Sequence, residues 1–141
     1  MKVLFVDDEI GFLDVVIKRI RKRNIDASGV SDGEKALDRI ANDHIDVVVL
    51  DVKMPGKRNG IMILKEIQTR WPLIEVIMLT GHATVETAIV GMKLGALDYL
   101  MKPSDMDVLM EKLTAAKAKK SSHEQKIITA QAMNIANRRG D

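Results

Sequence analysis

A doubly wound α/β domain on a parallel sheet is predicted for this sequence by three observations. Short apolar runs alternate with helix-periodic segments about five times over roughly the first 117 residues. The central run, Val47-Val48-Val49-Leu50, shows no polar alternation, as expected of a strand covered by helices on both faces. Run after run also ends in a polar or charged residue, and in such sheets ligands bind outside the carboxyl ends of the strands.

The elements follow in order. Val3 to Val6 reads as a strand ending in Asp7-Asp8-Glu9, and Ile10, Leu13, Val16, Ile17 and Ile20 then recur at helical spacing through about Arg23. Ile25 to Val30 is a weak strand, diluted by Ala, Ser and Gly, and Asp32-Gly33-Glu34 opens a short helix carrying Ala36, Leu37 and Ile40. The central strand ends in Asp51 before Pro55-Gly56. Gly60 leads into a helix with Ile61, Leu64, Ile67 and Trp71 on one face, stopped by Pro72. Glu75 to Leu79 is a strand delivering Thr80-Gly81-His82. Val85, Ala88, Ile89 and Met92 mark the next helix, ended by Gly95. Leu97 to Met101 is a short strand containing Tyr99 and delivering Lys102-Pro103. Ser104 is then placed to cap a last helix with Asp107 in a capping box, Met106, Leu109, Met110 and Leu113 forming its buried face through Ala116.

Composition limits the alternatives. The chain has 141 residues, 46% of them hydrophobic, which suits one domain with a tail. It has no cysteine, excluding disulfides, thiolate catalysis and cysteine-based zinc sites. Its apolar runs fall short of the roughly 20 residues that span a bilayer, and the amino terminus turns acidic too early for a signal peptide, so a soluble cytoplasmic protein with no membrane contact is expected. The net charge of +2 is uneven: six Lys/Arg face two Asp/Glu from Lys117 onward, leaving 16 against 18 before it.

An aspartate just past a strand is ordinarily a turn or capping residue. That reading weakens when Asp7, Asp8, Asp51, Thr80 and Lys102 all fall at one edge of a sheet. Three clustered carboxylates repel unless a divalent cation sits among them, and a sparse all-oxygen site suits magnesium that also holds a phosphoryl group. A lysine ammonium and a threonine hydroxyl can take the phosphoryl oxygens left free. Asp51, central on the edge, is then the candidate nucleophile for an aspartyl phosphate.

With V-D-D-E at Val6 to Glu9, V-V-L-D-V-K-M-P-G at Val48 to Gly56, L-T-G-H-A at Leu79 to Ala83 and D-Y-L-M-K-P at Asp98 to Pro103, the sequence resembles the receiver domains of bacterial two-component response regulators over about residues 2 to 117. The resemblance implies a flavodoxin-like sheet of order 2-1-3-4-5 flanked by five helices. It implies that Asp51 accepts a phosphoryl group from a histidine kinase, and that Asp8, Asp51 and the Lys53 carbonyl bind Mg2+ directly while Asp7 binds it through water. Lys102 would contact the phosphoryl group, Thr80 and Tyr99 would form the switch pair, and the Lys102-Pro103 bond would be cis. The output surface would lie around Ala88, Ile89, Met92, Lys93 and Tyr99, acting on an output domain or a separate partner. The Thr80-to-Pro103 stretch looks most like receivers of ATPase-type transcription activators, so transcription regulation is the expected setting. Catalysis would be confined to phosphoryl transfer onto, and loss from, the chain's own Asp51.

Some features depart from the pattern or stay open. Lys57-Arg58-Asn59 between Gly56 and Gly60 is one residue longer than usual, so the loop should bulge. By the same resemblance, Lys53 and His82 lie where the family varies and tunes access of hydrolytic water, and their bulk is expected to prolong the phosphate. The segment 118–141 is a frayed tail, a helix that extends the last one or packs in a homodimer, or a nucleic-acid contact; the last is disfavoured because the six cations from Lys117 onward have no aromatic or helix-turn-helix company. The chain is read as a single-domain regulator or a piece of a larger one. Two rivals are a magnesium-dependent phosphatase, which a second aspartate at position 53 would match better than Lys53 does, and a binding module whose acids merely hold a cation.

Overall fold

The computed structural model describes residues 1–52, 59–81 and 85–139, with side chains through 134. Five strands and five helices alternate: β1 (Lys2–Val6), α1 (Ile10–Arg21), β2 (Asp26–Val30), α2 (Gly33–Asn42), β3 (Val47–Leu50), α3 (Gly60–Arg70), β4 (Glu75–Thr80), α4 (Val85–Lys93), β5 (Asp98–Met101) and α5 (Met106–Arg139). The strands are all parallel, in the order β2-β1-β3-β4-β5. The expected flavodoxin-like topology is therefore the observed one. Val47 to Leu50 are buried throughout, as the lack of alternation requires.

Two apolar layers result, one on each face of the sheet. Alternate strand residues such as Leu4, Val48, Leu50 and Met78 meet Leu37, Ile40, Ile63, Leu64 and Ile67 of α2 and α3. Phe5, Val49, Ile77 and Leu79 meet Leu13, Val16 and Ile20 of α1 and Leu109, Leu113 and Ala116 of α5.

Helix ends carry much of the local specification. Asp32 Oδ1 accepts the Lys35 N–H at 2.8 Å and Asn59 Oδ1 accepts the Met62 N–H at 3.0 Å, capping α2 and α3. Gly95 takes φ +103° after α4, and the Ala96 N–H returns to the Gly91 carbonyl at 3.0 Å, the paired closure that a left-handed glycine permits.

Several local expectations are corrected. The cap of α5 is Asp105, not Ser104: its Oδ1 accepts the Asp107 N–H at 2.7 Å. Trp71 and Ile61 pack only partly, the buried stripe of α3 being Ile63, Leu64 and Ile67. On α4, by contrast, Ile89 and Met92 lie on the surface where the output reading put them, each nearly half exposed; Val85 is 77% exposed, and Gly91 is the residue laid on the sheet. The last helix runs unbroken from Met106 to Arg139, through the segment read as a tail. Among the described residues no helix is long and apolar enough to cross a membrane.

Candidate functional site: an acidic cluster with a lysine at the sheet edge

Strand register builds the site. β1 pairs with β3 so that Val6 faces Leu50, which places Asp7 and Asp51, each one residue further on, side by side. The Asp51 N–H donates to the Val6 carbonyl at 2.9 Å and the Asp7 N–H to the Val30 carbonyl at 3.1 Å, so the backbone fixes both before any side chain is placed. β4 runs two residues beyond Met78, the partner of Leu50, and so brings Thr80 to the same edge. The Lys102 N–H donates to the Thr80 carbonyl at 2.9 Å, closing the set from the other side.

The side chains converge as the sequence suggested. Asp7, Asp8 and Asp51 each offer a carboxylate oxygen within 4.8 Å of the others. Asp7 and Asp51 are buried, Asp8 is exposed at the mouth, and Thr80 is fully buried. Lys102 Nζ lies 2.5 Å from Asp7 Oδ2 and 3.8 Å from both Asp51 Oδ2 and Glu9 Oε1. Its ammonium is buried and, among the described residues, finds no well-directed hydrogen-bond acceptor, which leaves donors for an anion entering the cluster. The Lys102-Pro103 bond is cis.

Electrostatics fit a cation. Burial pushes the Asp7 carboxyl above the usual carboxylate range; Lys102 and the Glu9 N–H pull it down, and the neighbouring Asp51 pushes it further up. Burial plus like charge outweigh the lysine, and a divalent ion bound by hard oxygens relieves both. The helix-capping account of the acids fails here: Glu9 makes no side-chain cap to α1, and Asp7 Oδ1 instead accepts the Glu9 N–H at 2.9 Å.

Tyr99 is half-buried, and its hydroxyl is 2.9 Å from the Thr87 hydroxyl of α4. Lys53 and His82, and the loop residues Lys57 and Arg58, lie outside the described residues.

Three participants were missed in the sequence. Phe12 lies beneath Lys102, its ring centroid 4.3 Å from Nζ, and lines a cavity of about 400 Å³ between α1 and the start of α5. Thr87 is the second. Gly60 is the third: a Cβ there would lie 2.1 Å from the Asp51 carbonyl oxygen. A glycine opening a helix right after a strand-tip acid was the available signal for it; nothing marked Phe12 or Thr87.

Comparison with known proteins agrees with this geometry. The chain is 37% identical over 116 residues to the transcriptional regulatory protein ZraR of Escherichia coli strain K12, covering 82% of this chain and 26% of that protein. It is 34% identical over 117 residues to a putative response regulator NtrX-like protein of Rickettsia conorii, covering 82% and 25%. The chain thus spans about a quarter of the length of these curated relatives. A receiver domain structure from Clostridium thermocellum superposes with a TM-score of 0.80 at 34% identity, covering 85% of this chain and 96% of that one. The NtrX structure from Brucella abortus in complex with ATP gives 0.82 at 28% identity, covering 88% and 28%. The model of the response regulator receiver domain matches residues 3–114, which hold every described member of the site, and the chain belongs to that family.

Proposed function

We propose that this domain receives a phosphoryl group on Asp51 from a histidine kinase and passes the signal on by changing shape. The observation that carries the reading is the meeting of three carboxylates within 4.8 Å with a buried ammonium 3.8 Å from Asp51. An Asp51 oxygen attacks phosphorus, a P–O bond forms, and the P–N bond to the kinase imidazole breaks, its electron pair returning to the ring nitrogen. Asp7, Asp8, Asp51 and the Lys53 carbonyl would hold Mg2+, which supplies charge neutralisation at the phosphoryl oxygens. Lys102 and the Thr80 hydroxyl take oxygens the cation leaves free. Loss of the phosphoryl group to water resets the domain, and no external substrate is turned over.

Phosphorylation adds close to two negative charges and three acceptor oxygens. Thr80 is drawn toward Asp51, and Tyr99 exchanges its Thr87 partner for the space released. That movement reaches α4, whose outward Val85, Ile89 and Met92, with Met101 at the end of β5, offer an apolar output face. Its reader is an output domain or a separate cytoplasmic partner, and the names of the relatives point to transcription regulation.

The test is intact mass after incubation with a small-molecule phosphodonor and with a histidine kinase, with and without magnesium, on the wild type and Asp51→Asn. One added phosphoryl group that needs both magnesium and Asp51 is expected. No addition under any condition, with magnesium still bound, turns the reading into that of a cation-binding module.

A further inference from the structure

The edge of the sheet opposite Asp51 carries a second polar assembly. Glu75 opens β4 and is 3% exposed; Asp46 immediately precedes β3, and the pairing of Val47 with Glu75 sets the two acids close together. A carboxylate buried there needs a counter-charge. The continuation of α5 brings it in Lys119, whose Nζ is 3.6 Å from Glu75 Oε2; the His123 ring lies alongside, with Nδ1 3.9 Å from Glu75 Oε1. Lys120 Nζ is 3.2 Å from Asp46 Oδ1 and also pairs with Glu124 on its own helix. Asp46 further accepts the Lys2 N–H at 2.8 Å and meets His44 Nε2 at 2.9 Å.

Glu75 and Lys120 are buried in these pairs, whereas the Lys119 side chain is 45% exposed. Lys120 is only 8% exposed. Burial alone would lower its ammonium, yet Glu124 and Asp46 hold it above its ordinary value. Positions 119, 120 and 123 share one helical face, so a single helix orientation serves both acids. Beyond Glu124 every described side chain through Asn134 is exposed. The contact with the domain therefore ends at Glu124, past the family match at 114.

We propose that residues 118–124 are a polar clasp fastening the continuation of α5 to the amino-terminal edge of the sheet, so that the folded unit runs to Glu124 and the helix beyond projects as an arm whose direction the clasp sets. The arm is thereby held in register with the sheet that carries Asp51 at its other edge.

Amide hydrogen exchange on the full 141-residue chain tests this. Protection should step down after Glu124. Lys119→Ala/Lys120→Ala should speed exchange in 118–124 by about tenfold or more while the strands stay protected. Lys126→Ala, an exposed lysine past the clasp, should leave 118–124 unchanged. If the double variant loses strand protection, Lys119→Ala alone, which spares the buried Lys120, makes the same comparison. The proposal is overturned if 118–124 exchange as fast as 126–134 in the wild type, if the clasp variants leave their exchange unaltered, or if Lys126→Ala speeds it equally.

Discussion

Gly60→Ala separates the demands of the helix from those of the site. Gly60 opens α3, where alanine is intrinsically better by up to about 1 kcal/mol. Yet the new Cβ would stand 2.1 Å from the Asp51 carbonyl oxygen, 2.6 Å from Val52 Cα and 2.8 Å from the Val52 oxygen. All three are backbone atoms, so no side-chain rotation relieves the overlap. The Gly60 N–H to Val52 carbonyl bond, 2.9 Å, holds the two segments together at this point. An ordinary contact begins at 3.4 Å, so α3 and the backbone of Asp51 must part by more than about 1 Å. Forced overpacking of this kind costs about 1–3 kcal/mol, which exceeds the propensity gain. A displacement of about 1 Å at a reacting group costs on the order of 100-fold in rate. Gly11→Ala is the control, because a Cβ on that exposed residue of α1 meets nothing within 4 Å. It should stabilise by about 0.5–1 kcal/mol and leave phosphorylation untouched. Urea melts and the initial rate of phosphoryl uptake from a small-molecule donor read both effects. A Gly60→Ala chain as stable as Gly11→Ala, phosphorylated at the wild-type rate, refutes the reasoning.

The remaining predictions concern charge and coupling. Lys102→Met strips the counter-ion from the buried Asp7 and Asp51, so stability without magnesium should fall by about 3 kcal/mol and added magnesium should recover more of it than in the wild type; thermal melts with equal magnesium-induced shifts would count against the site. Tyr99→Phe and Thr87→Val should each cost about 1 kcal/mol, and the double variant clearly less than their sum, as a double-mutant cycle in urea would show; full additivity would deny that the two hydroxyls are partners. Burial pushes the Asp98 carboxyl up, but Lys112 at 2.7 Å and the Tyr99 N–H pull it below its usual range. Its folded value therefore lies under the unfolded one near 3.8, so its contribution is complete above that pH and is lost as pH falls through the folded value. Asp98→Asn should cost about 0.5–1 kcal/mol at neutral pH and nothing well below 3.8; a cost that does not vary with pH would remove the ion pair from the account.

The sequence alone determined the order of elements, the parallel sheet and the acids and lysine at its carboxyl edge. Each follows from local signals: an unbroken apolar run in Val47 to Leu50, a polar residue directly after it, and helical spacing between such runs. Strand ends of a parallel sheet must share an edge, so convergence of Asp7, Asp51, Thr80 and Lys102 needed no distances. What tertiary structure decided is which face each helix turns inward and what lies across a gap between elements. Apolar spacing on α4 marked a helix and candidates for an output surface, but only the packed structure shows that Gly91 is the residue laid against Met78 and Tyr99 while Val85, Ile89 and Met92 stay outside. Phe12 under Lys102, Tyr99 on Thr87, Lys119 on Glu75 and Lys120 on Asp46 join separate elements. The tail was ambiguous for the same reason: its apolar periodicity is weak, and the acids its lysines meet, Asp46 and Glu75, lie more than 40 residues earlier. Periodicity reports the environment of one element, whereas a contact between two elements depends on how both are placed, and only the packed sheet supplies that.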